Sequence, residues 1–243
     1  MASSLFKKRR IGLYEKALPD LATVGDFQQA LSTAKEVGFD YLEISIDESE
    51  LRLERLNWSH NEWRELRRIT EEQDFPLHSM CLSAHRRFPF GSKDPQVRKR
   101  AQEIMRRAIE RAYYLGIRII QLAGYDVYYE PRDEETQQFF LDGLRQACDM
   151  AEKTGVTLAI EIMDTEYLNS ILKYREIAQQ IQSPFLKVYP DLGNLFAWNN
   201  DLEANLSAGM SEIVAIHLKD AITVGDGFPG KFRDLTIGEG EVD

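Results

Sequence analysis

Cysteine and long apolar runs are scarce in this sequence. There are only two cysteines, Cys81 and Cys148, and no CxxC spacing, so neither a zinc knuckle nor a disulfide framework is indicated. No segment approaches the roughly 20 consecutive apolar residues that a membrane-spanning helix needs. After the basic stretch at residues 7–10 only four uncharged residues precede the next charges, at Glu15 and Lys16, which excludes a signal-peptide core. These absences favour a reduced, cytoplasmic protein.

Positive charge is also in short supply. The chain carries 30 Lys and Arg against 40 Asp and Glu, which gives a net charge of −10. This balance repels the phosphates of nucleic acids and anionic lipids, so we expect neither as a partner. Any bound anion must be held by a local basic cluster, and the expected partner is a small molecule. An aromatic fraction of 10% excludes a disordered chain.

A strand–helix unit recurs along the chain. Gly38, Gly116 and Gly155 each separate a stretch of helical period from an apolar run, as expected where a helix ends before a strand. Seven apolar runs are predicted as strands, at residues 11–14, 41–46, 77–82, 118–122, 157–162, 186–189 and 213–218. Alternating units without GxGxxG after the first strand favour the α/β class, and within it a (β/α)₈ TIM barrel over a doubly wound sheet.

The end of the sequence departs from a full eight-unit barrel. Residues 219–243 contain five glycines and no strand pattern, so we predict that the eighth βα unit is missing. We therefore expect residues 1–243 to form a single TIM-barrel domain that is incomplete at its C-terminus. An unrecognised substitute strand is the alternative.

Active sites of such barrels lie at the carboxyl ends of the strands. Glu161, Asp191 and His217 each interrupt or close an apolar run on three consecutive predicted strands. Together they would form an O,O,N donor set suited to Zn²⁺, Mn²⁺, Mg²⁺ or Co²⁺. Each also has a structural alternative: a helix cap for Asp191, an arginine partner for Glu161 and a satisfied core position for His217.

Several longer motifs carry a closer resemblance. They lie at residues 12–19, 80–89, 121–129, 161–164, 189–194, 217–220 and 238–243. In these motifs the chain resembles the L-ribulose-5-phosphate 3-epimerases of L-ascorbate utilisation, also called L-xylulose-5-phosphate 3-epimerases, which are xylose isomerase-like TIM barrels. The resemblance implies an isomerase that interconverts L-xylulose 5-phosphate and L-ribulose 5-phosphate through a metal-stabilised cis-enediolate.

The resemblance also implies roles for individual residues. Glu161, Asp191 and His217 match three of the four metal ligands, and Glu161 matches one of two acid/base groups on opposite faces of the sugar. In the family the fourth ligand, which is also the second acid/base glutamate, lies on the eighth strand. We therefore expect it beyond Asp243, and no residue of this chain is assigned that role.

The substrate phosphate needs cationic or amide donors within this acidic protein. Clusters of such residues follow the first, third and seventh predicted strands, and the sequence does not choose between them. The candidates for binding the substrate and its phosphate are Lys16, Ser83, His85, Arg86, Asn194 and Lys219. Pairing of Arg86 with surface carboxylates is the alternative.

Two other functions are compatible with the sequence, and a third is disfavoured. An aldose–ketose isomerase of the same barrel family shares the enediolate chemistry and differs in the carbon that loses its proton. A catalytically dead, truncated remnant is a second alternative. A DNA repair nuclease of the endonuclease IV type is disfavoured, because four histidines and a charge of −10 suit neither a multi-zinc cluster nor DNA. Association of two copies into a homodimer stays open.

Overall fold

The computed structural model describes residues 9–242, in which strands and helices alternate. The strands are β1 Gly12–Tyr14, β2 Tyr41–Ile46, β3 Leu77–Leu82, β4 Ile119–Leu122, β5 Thr157–Glu161 and β6 Leu186–Tyr189. The helices are α1 Asp26–Val37, α2 Glu50–Leu53, α3 His60–Glu72, α4 Pro95–Leu115, α5 Glu134–Glu152, α6 Ile171–Ile181, α7 Leu192–Ala197 and α8 Leu202–Gly209. Short 3₁₀ turns span Glu15–Ala17, Glu54–Asn57, Ser83–Arg86 and Glu166–Leu168.

All six strands are parallel and lie in sequence order, β1-β2-β3-β4-β5-β6. This order, with a helix between successive strands, confirms the predicted α/β barrel class. The first six predicted strands are found within one residue at each end. Gly38 and Gly116 cap α1 and α4 in the left-handed conformation, with φ of 106° and 75°. Glycine adopts this backbone without strain, as the sequence pattern predicts.

The helices cover the sheet with the predicted apolar stripes. In α4 the buried positions recur every three or four residues, from Ala101 to Ala112, and they pack into one core cluster with the strands. The opposite face carries ion pairs such as that of Arg106 with Glu103. In the part of the chain that the structure describes, every helix is too short or too polar to span a bilayer.

The seventh predicted strand is not a regular strand. Residues 213–218 pair with β6 and with the residues just after it through two isolated parallel bridges, Val188 with Ile213 and Asp191 with His217. Between the bridges stands Pro190, which has no N–H to donate, and its carbonyl accepts from the amide of His217. The prediction of a continuous strand there is therefore wrong, because the proline interrupts the ladder.

The sheet has an open seam between β1 and residues 213–218. Within residues 9–242 no backbone hydrogen bond joins these two segments. A cavity of about 460 Å³ lies between them and is lined by apolar side chains such as Leu13, Ile216 and Ile237. An eighth βα unit would lie in this seam, and the missing unit and the single-domain division stay predictions.

Candidate active site

Three chemically active side chains meet at the carboxyl ends of the last strands. Glu161 is the final residue of β5, and Asp191 follows β6 at the N-cap of α7, where its Oδ1 accepts from the Asn194 amide at 2.8 Å. His217 is placed beside Asp191 by their parallel bridge. One ligand atom from each of the three residues lies within 4.8 Å of the other two. The chain thus brings together the three residues that its sequence singles out.

The same cluster contains Glu43, to which no role is assigned from the sequence. The Nε2 atom of His217 lies 2.8 Å from the Glu43 carboxylate, and its Nδ1 atom lies 3.1 Å from Glu161. Burial by itself lowers the pKa of this imidazole, but the Glu43 and Glu161 carboxylates raise it well above its usual range. Glu43 lies within the alternating pattern of β2, and that pattern does not show which side chains from other parts of the chain it contacts.

The cluster opens into a cavity of about 440 Å³. Its lining combines carboxylates, cations, hydroxyls and a few apolar groups. It consists of Tyr14, Lys16, Cys81, Ser83, Arg86, Glu161, Met163, Asp164, Asp191, Asn194, His217, Leu218, Lys219 and Arg233. The side chains of Lys16, Arg86 and Arg233 are 38%, 22% and 50% exposed, whereas those of Glu161 and Asp191 are only 14% and 4% exposed. These cations therefore lie nearer the mouth of the cavity and these carboxylates nearer its base, which suits a small ligand that is anionic at one end.

The donor set at the base of the cavity fits a divalent cation. Two carboxylates and one imidazole can hold such an ion while leaving positions open for substrate oxygens. Lys219 Nζ lies 3.1 Å from Asp191 and 2.7 Å from the Asn194 side-chain oxygen, so a cation already balances part of the negative charge. These three side chains, Glu161, Asp191 and His217, are the ones that could hold a metal.

Five of the six predicted substrate-binding residues line the cavity. Lys16 is paired with Asp47 at 2.7 Å, and Asn194 donates to the Ile162 carbonyl at 2.9 Å, which fixes the side chain that contacts Lys219. The Arg86 guanidinium lies over the ring of Tyr128, 4.9 Å from its centroid. Its Nε atom is buried without a hydrogen-bond partner.

Sequence reasoning missed Arg233, which also lines the cavity. Its guanidinium lies 2.6 Å from Asp164. Arg233 comes from the irregular segment after residue 218, which the sequence presents only as a glycine-rich loop. No pattern in the sequence indicates that this loop folds back over the mouth of the site.

His85 is the predicted site residue that the fold does not bring to the cavity. Its side chain is buried, its Nε2 lies 3.2 Å from the Ala101 carbonyl of α4, and its ring packs on Phe90 at 4.4 Å. The turn at Ser83–Arg86 directs Ser83 and Arg86 toward the cavity and His85 toward the helix layer. The assignment of His85 to phosphate binding is therefore wrong.

His85 should make the stability of the protein depend on pH. Burial lowers the pKa of its imidazole from 6.5 to about 4, although the Ala101 hydrogen bond opposes this. Between these values the unfolded chain binds a proton that the folded chain does not. The contribution of His85 to the free energy of unfolding is therefore fully present above the pKa of the imidazole in the unfolded chain. It falls, by up to about 3 kcal/mol, as the pH drops toward the pKa of the imidazole in the folded chain.

Denaturant unfolding of wild type and His85→Gln at neutral pH and at pH of about 4.5 tests this prediction. We expect the variant to lose less stability on acidification than wild type, because it lacks the titrating ring. An equal loss in both proteins would contradict it. Near-ultraviolet circular dichroism at neutral pH provides the control for native packing.

Comparison with known proteins shows the family of this chain. A model of the family described as xylose isomerase-like TIM barrel matches residues 31–243. The chain is 48% identical over 240 residues to the L-ribulose-5-phosphate 3-epimerase UlaE of Salmonella heidelberg, covering 98% of this chain and 81% of that one. It is 51% identical over 237 residues to Haemophilus influenzae SgbU, provisionally named an L-ribulose-5-phosphate 3-epimerase, covering 98% and 82%.

A solved structure shares the fold at much lower sequence identity. The D-allulose 3-epimerase of Methylomonas sp., determined with D-allulose, superimposes with a TM-score of 0.74 at 17% identity. The match covers 96% of this chain and 76% of that one. The agreement supports the barrel architecture described above.

Proposed function

Because the chain belongs to the xylose isomerase-like TIM barrel family, and within it to the L-ribulose-5-phosphate 3-epimerases, we propose that it interconverts L-ribulose 5-phosphate and L-xylulose 5-phosphate by inverting C3. It is an isomerase of the carbohydrate epimerase class. The observation that carries the proposal is the meeting of Glu161, Asp191 and His217 at the base of a cavity whose mouth is cationic. The aldose–ketose isomerase and the inactive remnant are less well supported, because the similar relatives are named as 3-epimerases.

A divalent metal held by Glu161, Asp191 and His217 would supply positive charge that stabilises negative charge on the substrate oxygens next to the reacting carbon. Zn²⁺, Mn²⁺, Mg²⁺ and Co²⁺ all suit this donor set. Reconstituting metal-depleted protein with each ion, and measuring both affinity and exchange, would select among them.

The Glu161 carboxylate is our candidate for the group that removes or returns the C3 proton. It stands at the end of β5 with its side chain 14% exposed, in contact with both the cavity and His217. Inversion requires a second acid/base group on the opposite face of the sugar. No residue among 9–242 is assigned this role, and a glutamate beyond Asp243 stays a prediction.

Exchange of substrate protons with solvent tests the proposed reaction. L-Xylulose 5-phosphate is incubated with the metal-loaded protein in D₂O and followed by NMR. We expect deuterium at C3 together with formation of L-ribulose 5-phosphate. Deuterium at C1 would instead support the aldose–ketose isomerase, and absence of exchange would support the inactive remnant.

We place the substrate phosphate at the cationic mouth, with Arg86 as its main donor. The guanidinium stacks on the Tyr128 ring, its side chain is 22% exposed, and its contacts to the Tyr125 hydroxyl at 3.5 Å and to Glu48 at 3.6 Å are long, so it still has donors to offer. Its only nearby carboxylate, among the described residues, is that of Glu48 at 3.6 Å. Lys16, Lys219, Ser83 and Arg233 are further candidates around the same opening.

Replacing Arg86 by Ala should weaken phosphorylated substrate selectively. A hydrogen bond to a charged group contributes about 1.5–3 kcal/mol, so we expect KM for L-xylulose 5-phosphate to rise by roughly 10- to 100-fold. Activity on unphosphorylated L-xylulose should change little. Arg87→Ala is the matched control, because Arg87 is exposed, pairs with Glu50 and lies outside the cavity lining. Equal weakening of both sugars would remove Arg86 from the phosphate site.

We further propose a cytoplasmic location, supported by two buried thiols, Cys81 and Cys148, that form no disulfide. Fractionation of the source cells would test it. A homodimer stays a prediction, which sedimentation equilibrium would decide.

A further inference from the structure

Glu43 is a buried carboxylate deep in the barrel, at the third position of β2 and only 3% exposed. Its side chain meets residues from three other parts of the chain: Ser79 of β3, Tyr189 of β6 and His217. Burial of an ionised carboxylate is costly unless its oxygens accept hydrogen bonds. The hydrogen-bond partners of Glu43 must therefore offset the cost of its burial.

Each oxygen of Glu43 has its own set of donors. Oε2 accepts from the Ser79 hydroxyl and from the Tyr189 hydroxyl, the latter at 3.0 Å. Oε1 faces His217 Nε2 at 2.8 Å. The carboxylate is thus fixed by β3 and β6 before it meets the imidazole, and it offers an acceptor at a defined place.

The orientation of His217 follows from this acceptor. An ionised carboxylate can only accept, so Nε2 carries a hydrogen, and Nδ1 is the nitrogen that can bind a metal once it has given up its own hydrogen. Nδ1 then points toward Glu161, 3.1 Å away, on the side where Asp191 also stands. Tyr14 and Tyr189 flank the ring with centroids at 6.0 and 4.7 Å, which limits its rotation.

We propose that Glu43 is a positioning residue that holds the His217 imidazole with Nδ1 presented to the metal. The inference rests on the proposed function, because it assumes that His217 binds a divalent ion. Glu43 acts through His217 and does not itself touch the substrate, since it is not among the residues that line the substrate cavity. Partners of this kind fix the ring orientation of a histidine ligand and raise its basicity.

The experiment compares wild type with Glu43→Met and Glu43→Gln. Zn²⁺ affinity is measured by calorimetric titration of metal-depleted protein, and ¹⁵N NMR of the Zn²⁺-loaded protein identifies the coordinating nitrogen of His217. We expect Glu43→Met to bind Zn²⁺ about 10- to 100-fold more weakly, with faster exchange of the Nε2 hydrogen. Glu43→Gln keeps an acceptor oxygen and should fall between Glu43→Met and wild type.

A control separates positioning from general loss of stability. Asp126→Asn removes charge from another buried carboxylate, one that pairs with Arg132 at 3.0 Å and does not contact His217. It should lower thermal stability while leaving Zn²⁺ affinity and the His217 ¹⁵N shifts unchanged.

The outcomes distinguish the two proposals. Wild-type affinity in Glu43→Met, or coordination through Nε2, would overturn the positioning role while leaving the metal site intact. A wild-type protein that binds no Zn²⁺ through His217 would overturn the proposed metal site and with it this inference.

Discussion

Replacing Glu161 by Gln should reduce C3 proton exchange on L-xylulose 5-phosphate by at least about 1,000-fold, because the amide cannot take up the proton and is a weaker metal ligand. The substitution keeps the size of the side chain, and Gln can still contact His217, 3.1 Å from Glu161. The fold should therefore persist. Quenched-flow sampling with NMR detection of deuterium at C3 would measure the change.

Two further measurements separate the functions of Glu161. Saturating Mn²⁺ should restore exchange if the variant has lost only metal affinity, and should not restore it if the acid/base group is gone. Glu166→Gln serves as the matched control, because Glu166 lies five residues on, is exposed and is not part of the cavity lining. Exchange at the wild-type rate in Glu161→Gln would assign the acid/base role to another group.

Replacing Arg55 by Met should destabilise the folded protein strongly. Arg55 is 1% exposed, and its guanidinium donates to Glu15 and to the carbonyls of Ser45 and Leu21. Without it the Glu15 carboxylate stays buried with fewer partners. Removing one member of a buried ion pair costs about 3–5 kcal/mol.

For a chain of this size each kcal/mol lowers Tm by roughly 2–4 °C, so we expect a decrease of about 10 °C. Differential scanning calorimetry would measure it. Arg68→Met is the control, since Arg68 pairs with Glu65 on the exposed face of α3, where such a pair contributes about 0.2–1 kcal/mol. Similar decreases in Tm in both variants would show that the buried ion pair contributes no more to the free energy of unfolding than the exposed one.

The Arg55 network also bears on the site. Glu15 follows β1 directly and accepts from the backbone of Ser45 near the end of β2, so it fixes the carboxyl ends of two neighbouring strands. Lys16 and Asp47, which are ion-paired, come from the same two strand ends. Loss of Arg55 should therefore loosen one wall of the cavity mouth while leaving Glu161 and Asp191 in place.

Much of the local structure follows from the sequence. Apolar side chains at spacings of three and four predict α1, α4 and α5, and left-handed glycines such as Gly38 and Gly116 mark where helices end. These features depend on neighbours a few residues apart, so periodicity reports them. The same reasoning places Glu161 and Asp191 at strand ends, because parallel strands share one carboxyl edge.

Two predictions from the sequence are wrong because they depend on residues that lie far away along the chain. Residues 213–218 have the composition of a strand, but Pro190 on the neighbouring chain segment interrupts their pairing. His85 stands beside Ser83 and Arg86 in the sequence, but the turn sends its ring to Ala101 on α4. In neither case does the residue itself reveal the partner.

The barrel class, the order of its units and the three candidate metal ligands can all be predicted from the sequence, because each depends on periodicity or on position along a strand. The contact between Glu43 and His217, which are 174 residues apart, and the position of Arg233 at the cavity are visible only in the folded chain. Such contacts arise when packing brings distant segments together, and no pattern along the chain encodes the direction in which a buried polar side chain finds its partner.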